Sequence, residues 1–283
     1  MNDGSVSSSL QPGYILHYRQ FQESSFIVDA FTLSHGRIAM VAKSARSSRP
    51  AVRALYQPFR PLLLSWVGAG DLRTLTGIED TGPGLALSDV RLACGYYINE
   101  LILRLLGKDQ PQSQVFAFYT MALSDLTQQN IAYESVLRTF ELQLLDMLGV
   151  LPNLSRCTKD GSDIVPEHEY LYHPANAVAV PVQGSEGLGL LKEKHRSGAV
   201  RADSDGNSTT SSPSIHPDGI TQDEGVCIRG KVLIAMQHLD FADETILREC
   251  RTLMRQILRV QLGDRPLKSR ELFATLAGSG RRE

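Results

Sequence analysis

No two of the four cysteines, Cys94, Cys157, Cys227 and Cys250, stand in a C-x-x-C pair. Structural zinc sites ordinarily draw ligands from such close pairs, whereas scattered cysteines in a reducing compartment behave as small apolar residues. No metal or other cofactor is therefore expected. No apolar run approaches the ~20 residues of a membrane span. The longest, Leu62–Leu64 and Leu101–Leu106, are short or broken by Arg104. Residues 1–9 carry no basic cluster followed by an apolar stretch, so no export signal is expected and the chain is assigned to the cytoplasm. Also missing are the G-x-x-x-x-G-K, G-x-S-x-G and H-E-x-x-H patterns. The glycines of Gly184–Gly189 come without a lysine and read as a loop. His168 and His173 are badly spaced for a shared metal, and His17, His35 and His238 have no evident partners. Nothing assembles a nucleophile, a base and an orienting group, so a non-enzymatic protein is expected.

What is present is an ordinary folding composition, 42% hydrophobic and 21% charged over 283 residues, with room for two domains. The net charge of −2 hides an asymmetry. Residues 1–80 hold eight Lys/Arg against six Asp/Glu, residues 81–247 twelve against twenty-one, and residues 248–283 nine against four. The two ends are basic and the middle is acidic. If they met in space, the ends would form a cationic surface suited to phosphate or an acidic partner.

The hydrophobic period changes along the chain. Residues 13–79 read as about five short strands: Tyr14–Tyr18, Phe26–Leu33, Arg37–Ala42, Pro61–Val67 and Leu72–Ile78. Turns at Ser34-His35-Gly36 and Gly68–Asp71 separate them, in a segment the size of an OB-fold; an SH3-like barrel would give a similar pattern. After Asp80–Gly84 the period becomes about 3.6. Helices are expected over Asp89–Leu106, capped by Ser88 or Asp89 and stopped by Gly107, over Ser113–Gln128, and over Ile131–Leu148 before Gly149. Short extended pieces follow at Glu169–Tyr172 and Ala177–Val182. Residues 192–225 are Ser-rich with few apolar side chains, a composition expected to stay disordered. Order should return at Val226. A helix is expected over Phe241–Leu262, capped by Asp240 or Asp243 and ended by Gly263, and a short one over Ser269–Ala277. The expected class is α+β. An N-terminal OB-fold barrel (1–80) precedes a helical domain in two parts (81–152 and 226–283), split by an irregular region (153–225).

Three basic features could carry function. Between Ala30 and Gly70 there is no acid, yet Arg37, Lys43, Arg46, Arg49, Arg53 and Arg60 fall there. Lys43, Arg46, Arg49 and Arg53 could sit in a loop or on one face of a short helix, tracking a phosphate backbone without reading sequence. A solvated basic loop is the plainer alternative. Tyr56, Phe59 and Trp66 could stack bases, although core packing is expected of at least two. The second feature is Arg248, Arg251, Arg255 and Arg259, spaced to share one helix face. Like charges so placed repel by about 0.2–0.5 kcal/mol per pair. They call for an anionic counterpart, either Glu249 and the acidic middle or a phosphate or acidic peptide. Arg138 stands among apolar residues in Leu137–Leu142 and could snorkel from the helix edge.

Several stretches together resemble the RecO family of bacterial recombinational DNA-repair proteins. They are Pro266-Leu267-Lys268-Ser269-Arg270-Glu271-Leu272-Phe273, Val41-Ala42-Lys43-Ser44-Ala45-Arg46, Gln57-Pro58-Phe59 with Pro61–Leu64, Tyr97-Ile98-Asn99-Glu100-Leu101, and Leu137–Leu142. The resemblance implies an OB-fold followed by a helical domain that includes the C-terminus. It implies binding of single- and double-stranded DNA, annealing of complementary strands, and partnership with RecR and with single-stranded DNA-binding protein (SSB), so that RecA loads indirectly. It implies a cytoplasmic, nucleoid-associated protein. Lys43, Arg46 and Arg49 are similar to the family's basic N-domain segment, to which Arg37 and Arg53 are added here. Arg138 and Arg248 resemble positions that grip the acidic SSB tail, with Arg251 and Arg255 beside Arg248. Three departures stand out. Only Cys157 lies where many relatives carry four zinc-binding cysteines. The insert at 192–225 is long. Ser44 stands where glycine is common. An RNA-binding or ribosome-associated OB protein is the alternative, and a cryptic site around Asp163, His168 and His173 a distant third.

Overall fold

The computed structural model describes residues 8–151, 154–157, 160–173, 178–181, 225–263 and 265–279. The insert expected at 192–225 lies outside them, apart from Gly225. The chain divides into two compact units, residues 1–148 with 261–283, and residues 149–260.

The first unit begins with a closed five-stranded barrel. Its strands are β1 (Gln11–Phe21), β2 (Ser25–Thr32), β3 (Gly36–Ala42), β4 (Leu62–Val67) and β5 (Arg73–Asp80), with the short helix α1 (Pro50–Ala54) between β3 and β4. The order is β1-β2-β3-β5-β4. β1 returns to pair with β4, and β3 meets β5 in parallel through Met40–Arg73 and Val41–Thr74. This is the OB arrangement, which resolves the choice against an SH3-like barrel. Alternate residues fill the interior: Ile15, Val28, Ala30, Ile38, Met40, Leu62, Leu64 and Trp66. β2 is nearly all buried, which explains its unbroken apolar run. One face fills the barrel; on the other, Phe31 packs on Phe116 and Tyr119, with ring centroids 5.4 and 5.9 Å apart. Gly36 is required at the β2–β3 turn. Its φ is +67°, and a Cβ there would lie 1.8 Å from the Gln110 carbonyl oxygen.

Helices α2 (Asp89–Leu105), α3 (Ser113–Thr127) and α4 (Tyr133–Met147) follow. Ser88 occupies the N-cap of α2, but its side chain makes no capping bond. The stop differs from the expected one. Leu106, not Gly107, ends α2 in extended conformation. The chain is drawn off to pair with β3, where the Asp109 N–H donates to the Arg37 carbonyl at 2.9 Å. Gly149, after α4, has the expected positive φ of 70°.

A polar network joins the helices to the barrel. The Asn99 side-chain amide donates to the Leu16 carbonyl of β1 at 2.9 Å, and the Tyr119 hydroxyl donates to Asn99 Oδ1 at 2.9 Å. The C-terminal segment returns to α2. Glu100 accepts from the Lys268 and Ser269 N–H groups, both at 2.9 Å, and from the Ser269 hydroxyl at 2.8 Å. It thereby caps α7 (Ser269–Ser279) from another element. One turn along, the Arg104 guanidinium donates to the carbonyls of Leu262, Arg265 and Pro266 at 3.0, 2.7 and 3.1 Å. Leu267 is buried beneath this clasp.

The second unit holds a three-stranded antiparallel sheet, ordered β7 (Val178–Pro181), β6 (Glu169–His173), β8 (Val226–Arg229), with α5 (Gly230–His238) and most of α6 (Glu244–Leu262). α5 is an element the hydrophobic period does not reveal. It ends on Leu239 in left-handed conformation, φ 55°, without a glycine to announce the stop. α6 starts three residues later than expected, and Asp243 is its cap. The Asp243 carboxylate accepts the Thr245 N–H at 2.7 Å, and this bond holds its pKa below the ordinary value. α6 buries Cys250, Leu253, Met254, Ile257 and Leu258 along one face.

Among the described residues, no helix is long and apolar enough to cross a membrane. Nor do any three His, Cys, Asp or Glu side chains there converge as metal ligands, so Asp163, His168 and His173 form no such group.

Candidate nucleic-acid interface and basic helix face

The basic segment of the barrel is a built loop. Ser44, just past β3, takes a φ of 56°. Glycine adopts that left-handed conformation freely, and other residues at a cost of about 1–2 kcal/mol. The serine therefore keeps the backbone path that glycine would favour. Its carbonyl accepts the Ser47 and Ser48 hydroxyls at 3.0 and 2.9 Å. The Arg46 N–H donates to the Ser24 carbonyl at 2.8 Å, and its guanidinium to the Gln22 carbonyl at 3.2 Å. These bonds fasten the loop to the β1–β2 turn. Pro50 then opens α1, where its missing N–H costs nothing, with Arg49 before it and Arg53 within it.

Lys43, Arg49 and Arg53 are exposed, and their side chains form no hydrogen bond or ion pair among the described residues. Arg46 is half-buried and partly occupied by the tether. Arg37 does not join this set. It lies at the start of β3, and its guanidinium donates to the Leu103 carbonyl near the end of α2. Cationic donors favour that pole of a helix. Arg60 is likewise engaged, by Asp80 at 2.6 Å.

Tyr56, Phe59 and Trp66 are all buried, so none is a base-stacking platform. Phe26 meets Tyr56 at 5.6 Å and Phe59 meets Tyr96 at 5.1 Å. Trp66 lies in the barrel core with Arg73 over its ring at 5.9 Å. Tyr18 of β1, which the sequence pattern marks only as a strand residue, remains half-exposed near the loop.

In the second unit, Arg248, Arg251 and Arg255 are exposed on α6, opposite its buried face, and Arg259 is half-exposed. The Glu249 carboxylate is engaged from another element, accepting the Nε, at 3.0 Å, and an Nη of Arg229.

Arg138 has a different setting from the helix edge expected of it. It is buried in the first unit, ion-paired with Glu141 three residues along α4. Glu141 is fully buried and also accepts the Tyr97 hydroxyl at 2.6 Å. Burial, reinforced by the Glu141 charge, pushes the Tyr97 pKa well up, so the hydroxyl stays protonated as a donor.

A closed OB barrel with an exposed cationic loop and appended helices places the chain among OB-fold proteins with a helical extension. Its sequence matches the family described as "Recombination protein O N terminal" over residues 7–83 and "Recombination protein O C terminal" over residues 89–190. The DNA repair protein RecO of Actinobacillus pleuropneumoniae serotype 7 is 34% identical over 264 residues, covering 93% of this chain and 94% of that one. The RecO of Haemophilus influenzae strain 86-028NP is 34% identical over 269 residues, covering 95% and 97%. That of Chromobacterium violaceum is 33% identical over 266 residues, covering 94% of each. The chain belongs to the RecO family of DNA repair proteins.

Proposed function

We propose that this protein is a recombination mediator that binds single- and double-stranded DNA through the β3–α1 loop, anneals complementary strands, and engages SSB so that RecA can load. The observation that carries the reading is the tethered loop, which presents Lys43, Arg49 and Arg53 to solvent without partners among the described residues. Cations so placed neutralise backbone phosphates regardless of sequence, and neutralisation is what two repelling strands need in order to pair. Annealing makes and breaks no covalent bond, so it needs only binding and release. Arg46 adds to the loop's charge while holding it in place.

The exposed face of α6 is the proposed dock for the acidic SSB tail, with Arg248, Arg251 and Arg255 as its cations. Charge-assisted bonds to carboxylates favour arginine. Arg138, buried against Glu141, is proposed to hold the helices in place rather than to meet the tail directly. RecR is the proposed protein partner, and the nucleoid the proposed location.

The test is annealing of complementary oligonucleotides coated with SSB from the same organism. Acceleration that weakens with salt is the expected result. Lys43→Ala with Arg49→Ala should flatten the logarithmic salt dependence of duplex binding by about 0.9 for each phosphate no longer neutralised. Arg248→Ala with Arg251→Ala should remove acceleration on coated strands while sparing naked ones. No acceleration on either substrate, with a preference for structured RNA, would overturn the reading.

A further inference from the structure

Beside α1 the barrel surface carries a groove of about 310 Å³, lined by Tyr18, Phe26, Pro50, Arg53, Ala54 and Gln57. Its volume falls at the low end of small-molecule sites, roughly 300–1,000 Å³. Tyr18 forms one side. Its ring meets Phe26 edge-on at 5.1 Å, and its hydroxyl accepts from the Gln57 amide at 3.3 Å. The ring is thus supported from behind and oriented at its tip, yet it stays half-exposed. Arg53, exposed and without a partner among the described residues, lies on the same groove. Pro50 joins the groove to the basic loop, where Arg49 precedes it.

A half-exposed phenol ring held at its tip, a neighbouring guanidinium without a partner among the described residues, and Arg49 on the adjoining loop suit one ligand chemistry: a planar heterocycle attached to a phosphate. We propose that this groove holds an unstacked nucleobase of single-stranded DNA against Tyr18, with Arg53 on the adjoining phosphate. The proposal rests on the DNA-binding reading above and adds a discrimination that the loop alone lacks. Phosphate contacts do not distinguish one strand from two. A base is available for stacking on a side chain only where it is not already paired and stacked. Stacking is also tolerant of base identity, since every base has a π-face.

The two contributions separate by their response to salt. Tyr18→Ala should weaken binding of short oligothymidylate about five- to one-hundred-and-fifty-fold. Its salt slope should stay that of the parent, because every cation that meets a phosphate is still in place, and duplex affinity should not change. Tyr18→Phe keeps the ring and should bind nearly as the parent does, which also controls for folding. Tyr18→Trp supplies an optical readout: its fluorescence should be quenched by oligothymidylate and not by duplex, over a constant background from Trp66, which is buried in the core. Equal loss of single-strand and duplex binding in Tyr18→Ala, or no loss of either, overturns the base site while leaving the loop reading intact. A parent protein that binds no DNA overturns the loop reading, and the base site with it.

Discussion

Lys43 and Arg138 are both cations in one compact unit, and the fold uses them in opposite ways. Around Lys43, bonds from neighbouring residues to main-chain carbonyls do the work. Ser44, Ser47, Ser48 and the Arg46 tether shape the loop, and Lys43 itself faces water without a partner among the described residues. Around Arg138 the side chains do the work. The guanidinium is buried beside a fully buried carboxylate that also takes the Tyr97 hydroxyl. A buried pair is costly to desolvate and costlier still to break. An exposed unpaired cation contributes almost nothing to folding, which leaves it available to a ligand. Charge type alone therefore says little about role; the number of internal acceptors decides it.

The contrast can be broken by mutation. Arg138→Ala removes the cation beside buried Glu141 and should cost about 3–5 kcal/mol in urea unfolding, with part of the loss regained on adding Glu141→Gln. Retention of parental stability would mean that Glu141 holds its place without the arginine. Glu100→Ala takes the acceptor from three donors at the head of α7 and should cost about 2 kcal/mol, with the C-terminal helix becoming protease-sensitive first. Ser44→Gly should shift stability by less than about 1 kcal/mol, because relief of the left-handed serine is offset by a more flexible unfolded chain. Lys43→Ala with Arg49→Ala belongs at the foot of the scale, within about 0.5 kcal/mol, despite its effect on DNA binding.

The thiols give a check that needs no mutation. Burial, with Glu134 nearby, raises the Cys94 pKa to about 12. The reactive thiolate is therefore negligible at pH 8, and it would become appreciable only as pH rises toward that value. Cys157 and Cys250 are also buried, and Cys227 is exposed. A thiol reagent at pH 8 should label Cys227 in the native protein and all four cysteines after unfolding. Rapid labelling of Cys94 in the native state would show α2 opening.

The barrel was legible because glycine-bearing turns punctuate it and β-rich runs fill the gaps, as at Ser34–Gly36 between β2 and β3. The longer helices, α2, α3, α4 and α6, were legible from their period. The ends failed where tertiary pairing sets them: α2 stops where Arg37 and Asp109 draw the chain into the sheet, a pairing between distant segments. α5 escaped notice because Leu239 ends it in a conformation that local sequence does not advertise. In the candidate site the exposed cations at Lys43, Arg49 and Arg53 could be read from an acid-free stretch. The internal engagement of Arg37 could not, since its acceptor lies 66 positions away. Tyr18 was hidden for a related reason. Its significance comes from α1 folding over the β1–β2 hairpin, which leaves no trace in the alternation of β1.

The clasp of Glu100 and Arg104 on residues 262–269 has a topological consequence. The chain leaves the first unit after Leu148 and rejoins it at Gln261. Its C-terminal helix is held there by α2 itself, through hydrogen bonds rather than through the intervening covalent chain. Everything between is an excursion on a tether whose far end is moored. Lengthening such an excursion costs little, about 0.6 kcal/mol for each doubling. A single cleavage within it would leave two fragments still docked, as a complemented pair rather than a broken protein.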